Sequence, residues 1–256
     1  MNIFLSLIIP AYNEAGRIGS SLDRIQDFLI SQDYSSEVII VDDGSTDNTV
    51  ALAESYSKRY RDNGLILRAV SNPGNQGKGY SVRHGMLEAR GEIALFSDAD
   101  LSAPITEAPK LIAPIADNDC DIAFGSRGLD YGMIGVHQSF AREMAGRTFN
   151  LIMRFITGLN FKDTQCGFKA FRRQAALPIF GLQSINGFGF DVEVLFLAQK
   201  FGLRLKEIPV HWNHVEGTKV RMLSDSLKMF LDLLVIRRND LLGRYDYAPG
   251  YSIVEG

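Results

Sequence analysis

The sequence predicts an α/β fold, a mostly parallel mixed sheet flanked by helices. Three observations predict it. Short apolar runs alternate with helix-period segments from the N-terminus to about Gly125, which is the pattern of βαβ units. Two of those runs end in acidic motifs, VDDGSTDNT from Val41 and FSDADLS from Phe96, and open α/β sheets bind ligands outside such strand ends. The chain has 256 residues, 46% of them hydrophobic and 22% charged, which is enough for one large core.

The elements follow in order. The apolar run LSLIIP predicts a first strand at 5–10, and a helix is expected over roughly 15–30. EVIIV predicts a strand at 37–41 before the first acidic motif, with a helix over roughly 47–63 after it. LILRAV predicts a strand at 65–70, followed by a helix at 79–89. EIALF predicts a strand at 92–96 before the second acidic motif, followed by a helix at 106–116. DIAFG predicts the fifth strand at 121–125. The second half changes character. A long helix is expected near 139–157, the string DTQCGFKAF from Asp163 reads as a motif-dense loop, and a helix follows at 191–201. From about Met222 to Arg244 the chain is apolar and basic. No repeat, low-complexity stretch or linker interrupts it. The expectation is a catalytic domain over 1–220 with an amphipathic helical appendage over 221–256.

Composition excludes several function classes. A net charge of −3 implies no general affinity for nucleic acid. Cys120 and Cys166 give no disulfide framework and read as reduced and intracellular. MNIFLSLIIPAYNE lacks the basic region and cleavage site of a signal peptide. No apolar run approaches the ~20 residues that span a bilayer. A soluble or peripheral protein is expected.

Several residues are candidates for chemistry. Asp98 and Asp100, one residue apart on a strand-end turn, can hold a divalent cation that also touches a diphosphate; the alternative is a solvated turn. Asp42 and Asp43 end the second strand, and Asp42 equally suits a cap for the helix that follows. GNQGKGYSVRHG from Gly74 is not a P-loop, because Gly79 rather than Ser or Thr follows Lys78. Lys78 is either near a diphosphate or solvated. The four histidines show no ligand spacing, and Trp212 reads as packing. Between His137 and Arg173 there are seven Lys/Arg against two Asp/Glu, which points to an anionic acceptor or a membrane surface. Leu227, Phe230, Leu234 and Leu241 recur at helical spacing beside Arg237, Arg238 and Arg244. That face suits a membrane interface or packing on the core or a partner.

LIIPAYNE from Leu7, VDDGSTDNT, SDAD, DTQCGFK from Asp163, FDVE from Phe190 and EGTK from Glu216 together resemble the family 2 glycosyltransferases. Within them, they are similar to the branch that glucosylates dolichyl and other polyprenyl phosphates. The resemblance covers residues 5 to about 240. It implies a GT-A type nucleotide-diphospho-sugar transferase fold and an inverting transfer of glucose from UDP-glucose to a polyprenyl phosphate. It implies a donor site with Pro10, Tyr12, Glu14, Asp42, Asp43, Lys78, Asp98 and Ala99, in which Asp43 meets the base. It implies Mg²⁺ or Mn²⁺ on Asp98, Asp100 and Ser102, although mannosyl relatives carry Gln where this chain has Ser102. Arg127, Arg142 and Lys219 match positions that bind phosphate groups; Asp163 orients the sugar or those basic groups, and Gln165 and Asp191 join the substrate site. The catalytic set is then Asp100, Arg127, Asp163 and Lys219. The basic excess and the apolar C-terminal stripe lead to an expectation of peripheral attachment, on the cytoplasmic membrane face. The eukaryotic glucosyl enzymes carry an N-terminal anchor that this sequence lacks, which makes a bacterial or archaeal lipid an expectation. A GDP-mannose donor stays open, as does a hydroxyl acceptor, which would need Asp191 or Asp163 as base. A non-catalytic scaffold is disfavoured by the intact acidic motifs. No oligomeric state follows from the sequence.

Overall fold

The computed structural model describes residues 2–136, 140–213 and 222–246. Nine strands occur among them: β1 (Leu5–Ala11), β2 (Ser36–Asp42), β3 (Ile66–Ser71), β4 (Ile93–Ser97), β5 (Ile122–Ser126), β6 (Ile134–Val136), β7 (Phe168–Arg172), β8 (Leu205–Pro209) and β9 (Trp212–Asn213). The helices are α1 (Ile18–Ile30), α2 (Thr49–Ser55), α3 (Ser57–Asp62), α4 (Lys78–Glu88), α5 (Ala108–Ala116), α6 (Phe140–Thr157), α7 (Arg173–Leu182), α8 (Phe190–Lys200) and α9 (Met222–Leu241).

Seven strands form one sheet in the order β3-β2-β1-β4-β7-β5-β8, and β6 pairs with β9 separately. All neighbours in the large sheet are parallel except β7, which runs antiparallel between β4 and β5. The period-2 alternation of the strands divides the core between the two faces of the sheet. Leu5, Leu7, Ile9, Val38, Ile40 and Leu95 pack with α1 and α5 on one face. Ile8, Ile39, Val41, Ala94 and Phe96 pack with α4, α7 and α8 on the other.

Each of the five expected strands exists within one residue of its expected ends, and five expected helices start or end within a few residues of the observed ones. Three expectations are corrected. The helix expected over 47–63 breaks into α2 and α3 at Tyr56, whose N–H turns back to Ala53 O, a three-residue bond that tightens the chain there. The string from Asp163 is a loop only as far as Gly167, and Phe168–Arg172 is the buried strand β7. Its alternation was hidden because both faces are covered and Lys169 sits inside one of them.

The basic excess is not one outward patch. Lys169 is fully buried, Arg172 donates to Ile115 O and Asn118, and Arg173 donates to Ala89 O. Of the alternatives for the stripe on the last helix, packing on the core does not hold, while a membrane-facing or partner-facing stripe fits its exposure. Leu227, Leu234 and Leu241 are exposed, whereas the core takes Leu233 and Ile236. Helix α9 packs on α6 and α8.

A buried carboxylate ties this end of the chain down. Glu193 on α8 accepts from Ser184 N–H and O–H, from Ile185 N–H and from the Tyr245 hydroxyl at 2.6 Å. Asn239 of α9 donates to Ser184 and Tyr245.

Candidate active site

The parallel strands β1, β2, β4 and β5 all finish at the same edge of the sheet, so their terminal residues converge there. Because β7 runs the other way, it starts at that edge: Phe168 pairs with Ser97. The preceding residues 163–167 therefore land beside the acidic turn after β4. A cavity of about 810 Å³ opens at this edge, within the size range of small-molecule sites. Of the residues named from the sequence, it is lined by Pro10, Tyr12, Glu14, Asp43, Lys78, Asp98, Ala99 and Asp100.

Asp42 and Asp43 do different things. Asp42 accepts from Gly44 and Ser45 N–H, so it shapes a turn that only Gly44, at φ 74°, fits without strain. The carboxylate of Asp43 accepts from Asn72 Nδ2 at 2.8 Å, Gln76 N at 2.9 Å and Gly77 N at 2.8 Å. A carboxylate offers roughly four lone-pair sites, so Asp43 holds the 72–77 loop and keeps capacity for a ligand.

That loop delivers Lys78 to the first residue of α4. Its ammonium meets Asp98 Oδ1 at 2.5 Å. Burial pulls the Lys78 ammonium down, but the carboxylates of Asp98, Asp191 and Asp100 more than offset this and hold it above the ordinary lysine range. The solvated-lysine alternative is thereby corrected. The N–H groups of Gly79 and Tyr80 are taken by Asn186 O, which leaves no phosphate cradle of the P-loop kind.

Asp98 is positioned from two sides. Its N–H donates to Gly167 O, and a Cβ on Gly167 would come 2.6 Å from the Asp98 carboxyl carbon. Any Cβ there would force the Asp98 carboxylate to move. Asp100 Oδ1 accepts from Ser102 N–H at 2.9 Å, and Leu101 between them takes the left-handed φ of 50°, a costly conformation for leucine. Ser102 is buried and is not among the cavity-lining residues; it shapes the turn through its backbone.

Two carboxylates with hard oxygens suit Mg²⁺ or Mn²⁺. Among the described residues no group of three or more His, Cys, Asp and Glu could hold an ion unaided. The residues fit a cation whose remaining oxygens come from a bound diphosphate.

Behind the cavity lie two ion pairs. Arg127 forks onto Asp163, with Nε to Oδ2 at 2.6 Å and Nη2 to Oδ1 at 2.9 Å, and its N–H also donates to Oδ2. The guanidinium lies 5.3 Å from the centre of the Trp212 ring, so Trp212 packs on a cation. Burial works to raise the Asp163 carboxyl, but Arg127 overrides it and holds the group at about 2. Lys169 donates to Asp191 Oδ1 at 2.5 Å and to Cys166 O at 2.6 Å. Burial pushes the Asp191 carboxyl up against the pull of Lys169 and Lys78. Cys120 and Cys166 are free and buried, and burial pushes the Cys166 thiol up to about 12. Gln165 reaches the Met229 sulfur of α9 at 3.8 Å. Arg142 falls on α6, with its side chain outside what is described, and Lys219 lies outside the described residues.

Sequence reasoning missed one whole wall of the cavity. Ile185, Asn186, Gly187 and Phe188 enter from the loop before α8, and Lys228, Met229, Leu231, Asp232 and Val235 from α9. The glycines of INGFGFD were the available signal for the loop. Gly189 allows Asp232 to dock, since a Cβ there would sit 2.6 Å from Asp232 Cβ. Burial raises the Asp232 carboxyl, with Glu193 adding to the effect.

Residues 6–180 match the model of "Glycosyl transferase family 2". The chain is 40% identical over 258 residues to the dolichyl-phosphate beta-glucosyltransferase of Saccharomyces cerevisiae, covering 95% of this chain and 77% of the yeast protein. It is 34% identical over 252 residues to the human protein of the same name, covering 94% and 77%. Among solved structures, glucosyl-3-phosphoglycerate synthase from Mycobacterium tuberculosis, in complex with Mn²⁺, UDP and glucosyl-3-phosphoglycerate, aligns with a TM-score of 0.64. It is 21% identical and covers 97% of this chain and 82% of that one. TarS of S. aureus with UDP-GlcNAc aligns with a TM-score of 0.58 at 22% identity, covering 93% and 67%. These neighbours share the GT-A fold.

Proposed function

The chain belongs to glycosyl transferase family 2, and from that premise we propose that it moves glucose from UDP-glucose to a polyprenyl phosphate with inversion at the anomeric carbon. The observation that carries the acceptor class is the state of the two carboxylates that the sequence offers as bases for a hydroxyl acceptor. Asp163 is forked by Arg127, and Asp191 is paired with Lys169. A phosphate monoester has a second pKa of about 6, so it reaches the site as an anion and needs no base. The names borne by the relatives support the same acceptor and sugar.

In this reading Tyr12 and Asp43 take the base and Glu14 the ribose. Asp98 and Asp100, with the donor's diphosphate oxygens, would hold Mg²⁺ or Mn²⁺, whose charge stabilises the leaving diphosphate. An acceptor phosphate oxygen attacks C1 of glucose. The C1–O bond to the diphosphate breaks, and UDP leaves with the electron pair. Positioning and electrostatics supply the rate. Lys228, Arg142 and Lys219 bring the acceptor phosphate in, while Arg127 acts through Asp163 to fix the loop beside Asp98. Met229, Leu231 and Val235 give the cavity an apolar side suited to an isoprenoid chain.

The test is a transfer assay extracted into organic solvent. Labelled glucose should enter the organic phase with a polyprenyl phosphate and not with the matching free polyprenol. GDP-mannose should not replace UDP-glucose. Transfer to the free alcohol or to a sugar hydroxyl overturns the reading. One observation favours that second reading: Asp232 lines the cavity with its carboxyl raised by burial, as a base would. Asp232→Asn separates the two, abolishing turnover only if a hydroxyl is the nucleophile.

A further inference from the structure

Two carboxylates at the cavity are available to a divalent cation, and one of them is already neutralised. Lys78 Nζ stands 2.5 Å from Asp98 Oδ1, with the lysine side chain 20% and the aspartate side chain 35% exposed. The pair is therefore at the cavity wall, within reach of an entering ligand. A divalent cation arriving alone would have to displace an ammonium from a group that offers too few other ligands among the described residues. A cation arriving with a diphosphate meets a different site. The diphosphate supplies the missing oxygens and also gives the ammonium somewhere to go. Lysine carries its charge on a flexible four-carbon stem, so Nζ can pass from carboxylate to phosphate without a backbone change.

The loop that carries Lys78 is itself anchored at the other end of the cavity. Gln76 and Gly77, the two residues before Lys78, donate their N–H groups to Asp43. Gly77 sits at φ 105°, which only glycine adopts readily, and its O accepts from Ser81 N–H. Occupancy at Asp43 and the position of Lys78 are thus joined through two consecutive peptide groups.

We infer that Lys78 is the resident counter-cation of Asp98, which keeps a divalent cation out of the empty site and releases the carboxylate only when a nucleoside diphosphate enters. Cation and diphosphate then bind as a coupled pair. Coupling of this kind is reciprocal: each ligand must tighten the other by the same factor. The inference rests on the donor reading above and deepens it, because it makes Lys78 the residue through which cation and diphosphate binding are coupled.

The test measures Mn²⁺ binding directly, by the electron paramagnetic resonance signal of free Mn²⁺, on the full chain with and without UDP. Wild type should bind Mn²⁺ weakly alone and at least about tenfold more tightly with saturating UDP. Lys78→Met should raise Mn²⁺ affinity without UDP by about tenfold and shrink the gain that UDP brings. Lys78→Arg keeps the charge and should keep the wild-type pattern. If Lys78→Met binds Mn²⁺ alone no better than wild type, or if Lys78→Arg behaves like Lys78→Met, the inference is overturned. UDP that binds without any Mn²⁺ dependence overturns it while leaving the donor reading standing. Absence of UDP binding under all conditions removes the donor reading and the inference together.

Discussion

Asp163 shows how a single side chain links charge to stability. Its carboxyl sits at about 2 against the usual 3.8 because Arg127 outweighs the cost of burial. A depressed carboxyl contributes stability above its unfolded value and loses it as pH falls through its folded value. The contribution here is about 2 kcal/mol, present at neutral pH and lost between pH 3.8 and about 2. Thermal melts across that range should show a component that disappears in Asp163→Asn, which has no carboxyl to protonate. An unchanged pH dependence in Asp163→Asn would show that other groups set it. At the same scale, Asp100→Asn and Asp98→Asn should each lower transfer by about 10²–10³-fold, the scale on which one electrostatic stabiliser acts. Steady-state rates with donor, acceptor and Mn²⁺ at saturation check this, and near wild-type turnover in both variants removes the carboxylates from the reaction.

At the scale of elements, strand β7 decides where the chemistry can sit. It is the one antiparallel strand in the large sheet, so the loop before it arrives at the edge where the parallel strands end. Gly167 is the contact point, with its carbonyl on Asp98 N–H and no room for a Cβ beside the Asp98 carboxylate. Gly167→Ala should leave the fold intact, since its backbone conformation is open to alanine, but should push Asp98 out of place. A misplacement of about 1 Å costs on the order of 10²-fold in rate. The expected result is that loss in kcat/KM with a melting temperature within a few degrees of wild type. An equal fall in stability and activity would mean that the residue serves the core rather than Asp98.

The whole molecule presents a divided surface. On α9, Leu227 is 62% and Leu241 80% exposed, and on the neighbouring α6, Phe155 is 92% exposed. Exposed apolar side chains concentrated on two packed helices are what a lipid interface uses. No helix among the described residues is long and apolar enough to cross a membrane. The protein should float with anionic liposomes at low salt, and Phe155→Ser with Leu241→Ser should reduce recovery more than added salt does, because Lys169 is buried and Arg172 and Arg173 are held by backbone carbonyls. Recovery that depends on salt alone would assign the contact to charge; no recovery would remove it.

Local information was enough for the first half of the chain. Strands buried on both faces read as apolar runs, and the acids at their ends could be named before any coordinates, because βαβ units keep neighbours in sequence close in space. Asp43, Asp98 and Asp100, which line the cavity, were named for that reason, and Tyr12 through the family resemblance. What the sequence could not reveal depends on contacts between distant segments. The strand nature of 168–172 was masked by Lys169, a charge that is tolerable in the core only because Asp191, on a later helix, meets it. The partners of Arg127 and Lys78 lie in other motifs, so their roles could not be read from their own neighbourhoods. The cavity wall built by Lys228, Met229 and Asp232 has no motif at all. It exists because Glu193 gathers residues 184–185 and Tyr245 around one buried carboxylate. Chain order set the strands and their acidic ends; long-range pairing of buried charge decided which of those residues face one another across the site.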